Sequence, residues 1–165
     1  MPATKEIASP GRADYAADLH AWVQEQAAVL RARNPQALDW ENLAEEIDSM
    51  GASQERELLS RLTVILEHLL KLQFGLRAEP RAGRRRTIGI QRIEIGRLLE
   101  RNPSLRPKVP DALSRVYPDA RSLAIDAFAE HEPGEIAHYR ASLPETPPYR
   151  ADDVLARDFF PGPEA

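Results

Sequence analysis

The sequence predicts an all-α protein, a single compact bundle of six or seven helices around a central buried helix. Residues 57–74 carry apolar side chains at helical spacing over more than one stripe, which is typical of a helix that its neighbours enclose. Proline, glycine, asparagine and aspartate divide the rest of the chain into segments of helical length. No segment shows the alternation of apolar and polar residues that indicates a half-buried strand, so we expect no sheet.

The first two helices are predicted from capping residues and apolar stripes. We expect Asp14 to cap the first helix and the Asn34-Pro35 pair to end it. Asp39 is expected to cap the second helix in the same way. The apolar residues that follow Asp39 at helical spacing form its predicted inner stripe: Trp40, Leu43, Ala44, Ile47 and Met50.

The middle of the chain is predicted to contain the central helix, a loop and a fourth helix. Gly51 and Ser53 indicate a stop and a new cap before residues 57–74. A continuous helix through Gly51 is the alternative, at a cost of about 1 kcal/mol. We expect the arginine-rich residues 77–86 to form a loop and residues 87–101 to form the fourth helix.

The last third of the chain is predicted to add shorter helices and a packed tail. A fifth helix is expected over residues 105–116, and Pro118 suits the first turn of a separate sixth helix. Asp152 is expected to cap a last short helix. Phe159 and Phe160 should then pin the C-terminal segment onto the bundle.

Composition predicts a soluble protein with one domain. The 165 residues suffice for one hydrophobic core, which we place in residues 14–161, with residues 1–13 as a flexible tail. The absence of cysteine excludes disulfides and thiolate metal sites. The N-terminus lacks the apolar core of a secretory signal, and no apolar run reaches the length of a membrane span. We therefore expect a cytoplasmic protein without a membrane partner.

The formal net charge of −4 conceals an uneven distribution. Residues 71–108 carry 11 basic and 3 acidic side chains, a net charge of +8. The segments before and after them, residues 1–70 and 109–165, each carry a net charge of −6. The basic segment therefore either meets an external anion or pairs with acidic helices of the same chain.

Several short segments occur in an order that resembles a known family. They are the DWENLAEEI block at residues 39–47, His68-Leu69-Leu70-Lys71, Gln91-Arg92, Pro103-Ser104-Leu105, Pro148-Tyr149 and Asp158-Phe159-Phe160-Pro161. Together they resemble the bacterial domain-of-unknown-function (DUF) family twenty-nine over most of the chain. The resemblance implies an all-α fold. It carries no catalytic residue, because no activity is assigned to the family.

One candidate site is a polar pocket between helices. A carboxylate beside a histidine has the chemistry for proton transfer or metal binding, so such a pocket would indicate an enzyme or a metal protein. Its candidate residues are Glu45, Glu46, His68, Lys71 and Arg92. The sequence contains no HExxH pattern, and no Glu-x-x-His pair occurs among these candidate residues, so we expect no metal and no cofactor. The alternative is that the acidic residues form a solvated face and internal ion pairs.

The second candidate site is the basic segment itself. Guanidinium groups bind carboxylates and phosphates through paired hydrogen bonds, so the segment is suited to an anionic partner. Its candidate anion-binding residues are Arg81, Arg84, Arg85, Arg86, Arg97 and Arg101. We favour a non-enzymatic interaction module that binds a protein or a nucleic acid through this segment. The enzyme or metal-binding pocket is the alternative, and the oligomeric state is left open.

Overall fold

A computed structural model describes residues 13–75 and 81–162. Within these residues the chain forms six α-helices and no β-strand, which confirms the all-α prediction. The chain divides into two compact units, one ending at Ala52 and the other beginning at Ser53, and each is described here by itself. The assignment of residues 14–161 to one domain stays a prediction. Residues 1–12, most of the predicted tail, lie outside the described residues.

The helices follow one another with short connections. They are α1 (Leu19–Arg31), α2 (Trp40–Phe74), α3 (Arg81–Arg101), α4 (Val109–His131), α5 (Ile136–Ser142) and α6 (Ala151–Leu155). Tight 3-10 turns with proline in their first position precede α2, α4 and α5, at Pro35–Ala37, Pro103–Lys108 and Pro133–Glu135. Proline suits these positions because it has no N–H to leave unpaired there.

The first helix begins later than the sequence predicts. Asp18, not Asp14, is its N-cap, and its carboxylate accepts a hydrogen bond from the Ala21 backbone N–H at 2.9 Å. The Asp14 carboxylate accepts instead from the Ala16 N–H at 2.9 Å, which stabilises a turn ahead of the helix. Both aspartates form local hydrogen bonds of the kind that caps a helix, so the sequence alone did not distinguish them.

The second helix runs without interruption from Trp40 to Phe74, so the expected stop at Gly51 is wrong and the continuous alternative holds. Asp39 caps it as predicted, since its carboxylate accepts from the Asn42 N–H at 3.4 Å. Gly51 is exposed, and the modest cost of glycine within a helix is smaller than the gain from extending it.

The predicted inner stripe of this helix is also wrong. Trp40 is 60% exposed and Met50 is 68% exposed, while Ile47 and Ala44 are exposed as well. Leu43 is half-buried. The periodicity identified residues that share a face, but no element described for this unit covers that face.

The later part of α2 supplies much of the core of the second unit. Its buried apolar side chains are Leu58, Leu62, Ile65, Leu66, Leu69, Leu70, Leu72 and Phe74. Within residues 57–74 only Ser60 is exposed. That the other helices surround this segment on all sides stays a prediction.

The arginine-rich segment is helical from Arg81 onward, so the predicted loop over residues 77–86 is wrong for its described part. Residues 76–80, which include the predicted start of that loop at Arg77, lie outside the described residues. The buried side chains of α3 include Ile88, Ile95 and Leu98. A helix that begins at Arg81 places the first arginines of α3 beside the end of α2, as described below.

The predicted fifth and sixth helices form a single helix, α4, with Pro118 inside it. Proline removes one backbone hydrogen bond from a helix, but Pro118 is exposed, so water can reach the carbonyl group that lacks a partner. Val116, Ala120 and Ala124 are buried on one face that continues past the proline. Packing along this face stabilises the continuous helix.

The C-terminal segment packs onto the core as predicted. Phe159 and Phe160 lie against the buried cluster of the second unit. The last helix begins at Ala151 with Arg150 as its N-cap, so the predicted cap at Asp152 is wrong. Asp152 lies instead in the first turn, where negative charge interacts favourably with the helix dipole.

Candidate functional site

The first arginines of α3 bind the end of α2. The Arg81 guanidinium donates to the Leu72 carbonyl at 2.8 Å, and the Arg84 guanidinium donates to the Lys71 carbonyl at 2.9 Å. The last carbonyl groups of a helix have no partner within the helix, and a positive charge there also complements its dipole. These two predicted anion-binding residues therefore have a structural role at the end of α2.

Two further arginines hold the C-terminal segment. Arg92 is only 5% exposed, and its guanidinium donates to the Val154 carbonyl at 2.8 Å and to the Phe159 carbonyl at 2.9 Å. Longer contacts of 3.4 Å join it to the carbonyls of Asp153 and Arg157. The Phe160 ring lies near two guanidinium groups, 5.1 Å from that of Arg92 and 5.2 Å from that of Arg85.

Burial lowers the pKa of Arg92 from its ordinary value, because the charged form loses water, whereas the nearby Asp158 acts in the opposite direction. The guanidinium nevertheless stays charged at neutral pH. Its hydrogen bonds to backbone carbonyls supply the partners that a buried cation requires. The Arg92 side chain is thereby committed to fixing the C-terminal segment.

Three exposed arginines line a groove of about 420 Å³ in the second unit. Its wall is formed by α3, the turn before α4 and the C-terminal segment. The groove is lined by Arg92, Ile93, Ile95, Gly96, Arg97, Leu99, Glu100, Arg106, Leu155 and Arg157. Three of its four arginines, Arg97, Arg106 and Arg157, are exposed, and Glu100 contributes the only carboxylate among these lining residues.

The floor of the groove is apolar, and one position in it has no side chain. Ile95 and Leu99 are buried, Leu155 is half-buried, and apart from the adjacent residues and backbone of α3 nothing lies within 4 Å of the position that a Cβ on Gly96 would occupy. On the rim, the Arg97 guanidinium contacts the Glu94 carboxylate at 2.7 Å. Exposed ion pairs of this type contribute little free energy, so Arg97 can exchange Glu94 for an external anion at small cost.

A second, smaller cavity of about 190 Å³ lies beside two polar residues of α2, His68 and Lys71. It is lined by His68, Lys71, Arg84, Ala127, Phe128, His131 and Glu132. The Lys71 ammonium forms an ion pair with Glu67, and Glu132 accepts a hydrogen bond from the Tyr139 hydroxyl at 2.8 Å. The Nδ1 atom of His68 is buried and makes no hydrogen bond within the described part of the chain.

Burial lowers the pKa of His68 from its ordinary value of 6.5. Glu67 opposes this shift, while Lys71 and Arg84 reinforce it because protonation would add a third positive charge beside theirs. The imidazole is therefore neutral at neutral pH.

The predicted polar pocket is distributed over several places. His68 and Lys71 line the same small cavity, whereas Arg92 lines the larger groove. Glu45 is exposed in the first unit, and Glu46 in that unit accepts a hydrogen bond from the Tyr15 hydroxyl at 2.6 Å. That bond, followed by partial burial and nearby carboxylates, raises the pKa of Tyr15 to about 12. A catalytic or metal-binding role for this set stays a prediction.

The predicted anion-binding residues also separate. Arg97 lines the groove, while Arg86 and Arg101 are exposed but do not line it. The sequence analysis included Arg106 in the basic segment but not among the anion-binding candidates, and it missed Arg157. Arg106 follows α3 in a turn, and Arg157 is far away in sequence, so only the fold of the C-terminal segment brings them to one groove.

Two further properties follow from the described residues. In residues 13–75 and 81–162, no group of three or more histidine, aspartate or glutamate side chains is arranged to hold a metal ion. None of the helices described here combines the length and the apolar character needed to cross a membrane.

Comparison with known proteins gives one match. A search of curated proteins and a search of solved structures each returned no match. The family model "Domain of unknown function DUF29" matches residues 15–160, which is most of the chain and agrees with the resemblance of the short segments. The chain therefore belongs to the DUF29 family.

Proposed function

We propose that the protein is a non-enzymatic interaction module, and that the groove of the second unit binds an acidic segment of a partner protein. The observation that carries this proposal is the arrangement of Arg97, Arg106 and Arg157 around an apolar floor. Other arginines of the basic segment, such as Arg81 and Arg84, already donate hydrogen bonds to backbone carbonyls of the same chain. The anion-binding surface is thus narrower than the charge of the whole segment suggests.

The chemistry of the groove favours carboxylates beside an apolar side chain. A guanidinium binds a carboxylate with two parallel hydrogen bonds, and three exposed guanidinium groups suit a segment with several acidic residues. Ile93 and Leu155 add apolar surface for a leucine-sized side chain of the partner. The volume of about 420 Å³ is in the range of ligand pockets and accepts a few side chains of one short segment.

A nucleic acid fits the groove less well than an acidic peptide. Proteins that bind single strands stack bases on aromatic rings, and no aromatic residue is among those that line the groove. An acidic protein segment is therefore the better match.

The test is a binding titration with a fluorescent peptide rich in glutamate and leucine, followed by anisotropy. We expect binding that weakens as salt is raised, because the contacts are exposed charges. The Arg106→Ala/Arg157→Ala double variant should weaken binding at least about tenfold, equal to about 1.4 kcal/mol. The control is Arg86→Ala/Arg101→Ala, which removes the same charge from exposed positions outside the groove and should change affinity much less.

Several results would contradict this proposal. Equal weakening in the two double variants would show a diffuse charge effect without a specific groove. Tighter binding of a single-stranded oligonucleotide than of the acidic peptide would assign the groove to nucleic acid. No binding of the peptide even at low salt would remove the interaction altogether.

A further inference from the structure

The first unit exposes apolar side chains that the proposed groove does not involve. Their exposed fractions lie between 43% and 68%. They are Leu19, Val23 and Leu30 on α1 and Trp40, Ile47 and Met50 on α2. Among residues 13–52, by contrast, the buried apolar side chains are Trp22 and Leu38. This unit therefore leaves more large apolar side chains in water than it encloses.

Two contacts show how α1 and the start of α2 are paired within this unit. The Tyr15 hydroxyl, ahead of α1, donates to the Glu46 carboxylate at 2.6 Å. The Trp22 indole N–H, inside α1, donates to the Asp39 carboxylate at 3.1 Å. Tyr15, which precedes Trp22, thus contacts Glu46, which follows Asp39. The two helices therefore run antiparallel.

The exposed apolar residues of both helices lie on one face of this pair. Val23 follows Trp22 by one residue, and Trp40 follows Asp39 by one residue. Each is therefore turned by about 100° in the same sense away from the helix–helix contact. Ile47 lies two turns after Trp40 on the same side of α2. In two antiparallel helices, equal rotations in the same sense, measured from the line of contact, point to the same side of the pair. The exposed apolar residues of α1 and those of α2 therefore share one face.

One flank of this face is acidic. Glu41, Glu45 and Asp48 are exposed on α2 and follow one another at helical spacing beside the apolar stripe. The arginines of the described part of this unit, Arg31 and Arg33, lie at the end of α1 and in the connection to α2. An apolar stripe beside a row of carboxylates complements a helix that has leucine on one side and lysine or arginine on the other.

We propose that this face binds a basic amphipathic helix of a partner protein. A large exposed apolar patch bordered by polar residues is typical of a protein-binding surface. A symmetric contact between two copies of this chain would bring the same rows of carboxylates near each other, and like charges oppose that contact. The charge of the flank therefore selects a basic partner over a second copy.

The experiment uses the full chain and a synthetic helical peptide of leucine and lysine with one apolar face. A peptide with uncharged glutamine in place of lysine is the matched control. Trp40 is exposed and Trp22 is buried, so binding should shift the tryptophan emission, and a Trp40→Phe variant should lose most of that shift. We expect the basic peptide to bind and the glutamine peptide to bind at least about tenfold more weakly, a difference of about 1.4 kcal/mol.

Variants locate the binding face. Ile47→Ser/Met50→Ser should weaken binding of the basic peptide at least about tenfold. The control is Ile90→Ser/Leu123→Ser, which replaces two exposed apolar residues of the second unit and should leave binding unchanged. Replacing Glu41 and Glu45 by glutamine should weaken binding and reduce its dependence on salt. All these side chains are exposed, so the variants should fold, which circular dichroism checks.

Three results would overturn the inference. The two serine double variants could bind the basic peptide equally, or the glutamine peptide could bind as tightly as the basic one. Sedimentation could also reveal a dimer that Ile47→Ser/Met50→Ser abolishes, which would assign the face to a second copy. The Arg106→Ala/Arg157→Ala variant should keep its affinity for the basic peptide, so failure of this proposal is distinguishable from failure of the proposed groove.

Discussion

The two ends of α2 carry similar apolar residues at similar helical spacing, yet their environments differ. Trp40, Ile47 and Met50 near its start are exposed, whereas Leu62 and Leu66 near its end are fully buried. Both stretches belong to one uninterrupted helix, so helix formation does not explain the difference. The difference shows that periodicity identifies the residues that share a face, while neighbouring elements decide whether that face leaves water.

A truncation at each end of α2 measures this difference directly. Leu66→Ala should lower the free energy of unfolding by about 2–5 kcal/mol, because it leaves a cavity among fully buried neighbours. Met50→Ala should change it by less than about 0.5 kcal/mol, since the side chain is exposed. Chemical denaturation of both variants checks the pair, and a loss below about 1 kcal/mol for Leu66→Ala would contradict its place in the core.

The arginines of α3 offer a parallel comparison between buried and exposed positions. Arg92→Ala should lower the free energy of unfolding by about 2–4 kcal/mol, because several backbone carbonyls in the C-terminal segment lose a charged donor. Arg97→Ala should cost less than about 0.5 kcal/mol, since its ion pair is exposed. Arg92→Lys should restore little, because an ammonium lacks the planar fork that reaches several carbonyls at once. Equal losses for Arg92→Ala and Arg97→Ala in denaturation would contradict this distinction.

The pH dependence of stability that His68 causes is a test of the buried part of α2. Its pKa in the folded protein is below the ordinary value of 6.5, so the unfolded chain binds more protons in the interval between the two values. The free energy of unfolding is therefore unaffected by this group well above 6.5 and falls as the pH is lowered through that interval. Because only one proton is involved, the free energy of unfolding can change by at most about 1.4 kcal/mol per pH unit. The partial exposure of the ring keeps the change below that limit.

The measurement compares denaturation of the wild-type protein and of His68→Gln at a pH above the ordinary histidine value and at one well below it. The wild-type protein should lose more stability than the variant on acidification. His131 lines the same cavity and is exposed, so His131→Gln is the control and should keep most of the pH dependence. Identical pH profiles for wild type and His68→Gln would exclude the buried imidazole as the cause.

The smallest expected effect lies between the two ends of α2, at Gly51. This glycine is inside the helix, it is exposed, and apart from the adjacent residues and backbone of α2 nothing lies within 4 Å of the position of an added Cβ. Gly51→Ala should therefore raise the free energy of unfolding by about 0.5–1 kcal/mol through a smaller loss of backbone entropy. A destabilised variant in thermal or chemical denaturation would indicate that the helix bends at this residue in solution.

Local signals predicted the helices well but not where they join or begin. Gly51 and Pro118 are common helix breakers, and both were expected to separate helices. Each is exposed, and apolar faces continue past Pro118, so the local cost is small compared with the gain from a longer helix. In the same way, no local sequence pattern indicated that the first arginines of α3 are helical. The contacts that stabilise them there are with the end of α2, which is a separate part of the chain.

The candidate site was predicted only in part, for a related reason. Charge segregation in the sequence indicated an anion-binding segment and included Arg97. It did not separate the arginines that bind backbone carbonyls from those that remain exposed, because both kinds have the same local sequence context. Arg157 was missed because the fold of the C-terminal segment, and no local pattern, places it in the groove.

The sequence by itself determined the all-α class, the apolar segment that forms much of the core, and membership of the DUF29 family. These depend on the spacing of apolar residues and on short motifs, which are local properties of the chain. Tertiary structure alone decided that the start of α2 is exposed, that Arg92 is buried and that Arg106 and Arg157 share a groove. Burial and clustering depend on which distant segments pack together, and the free energy of that packing is a property of the whole fold.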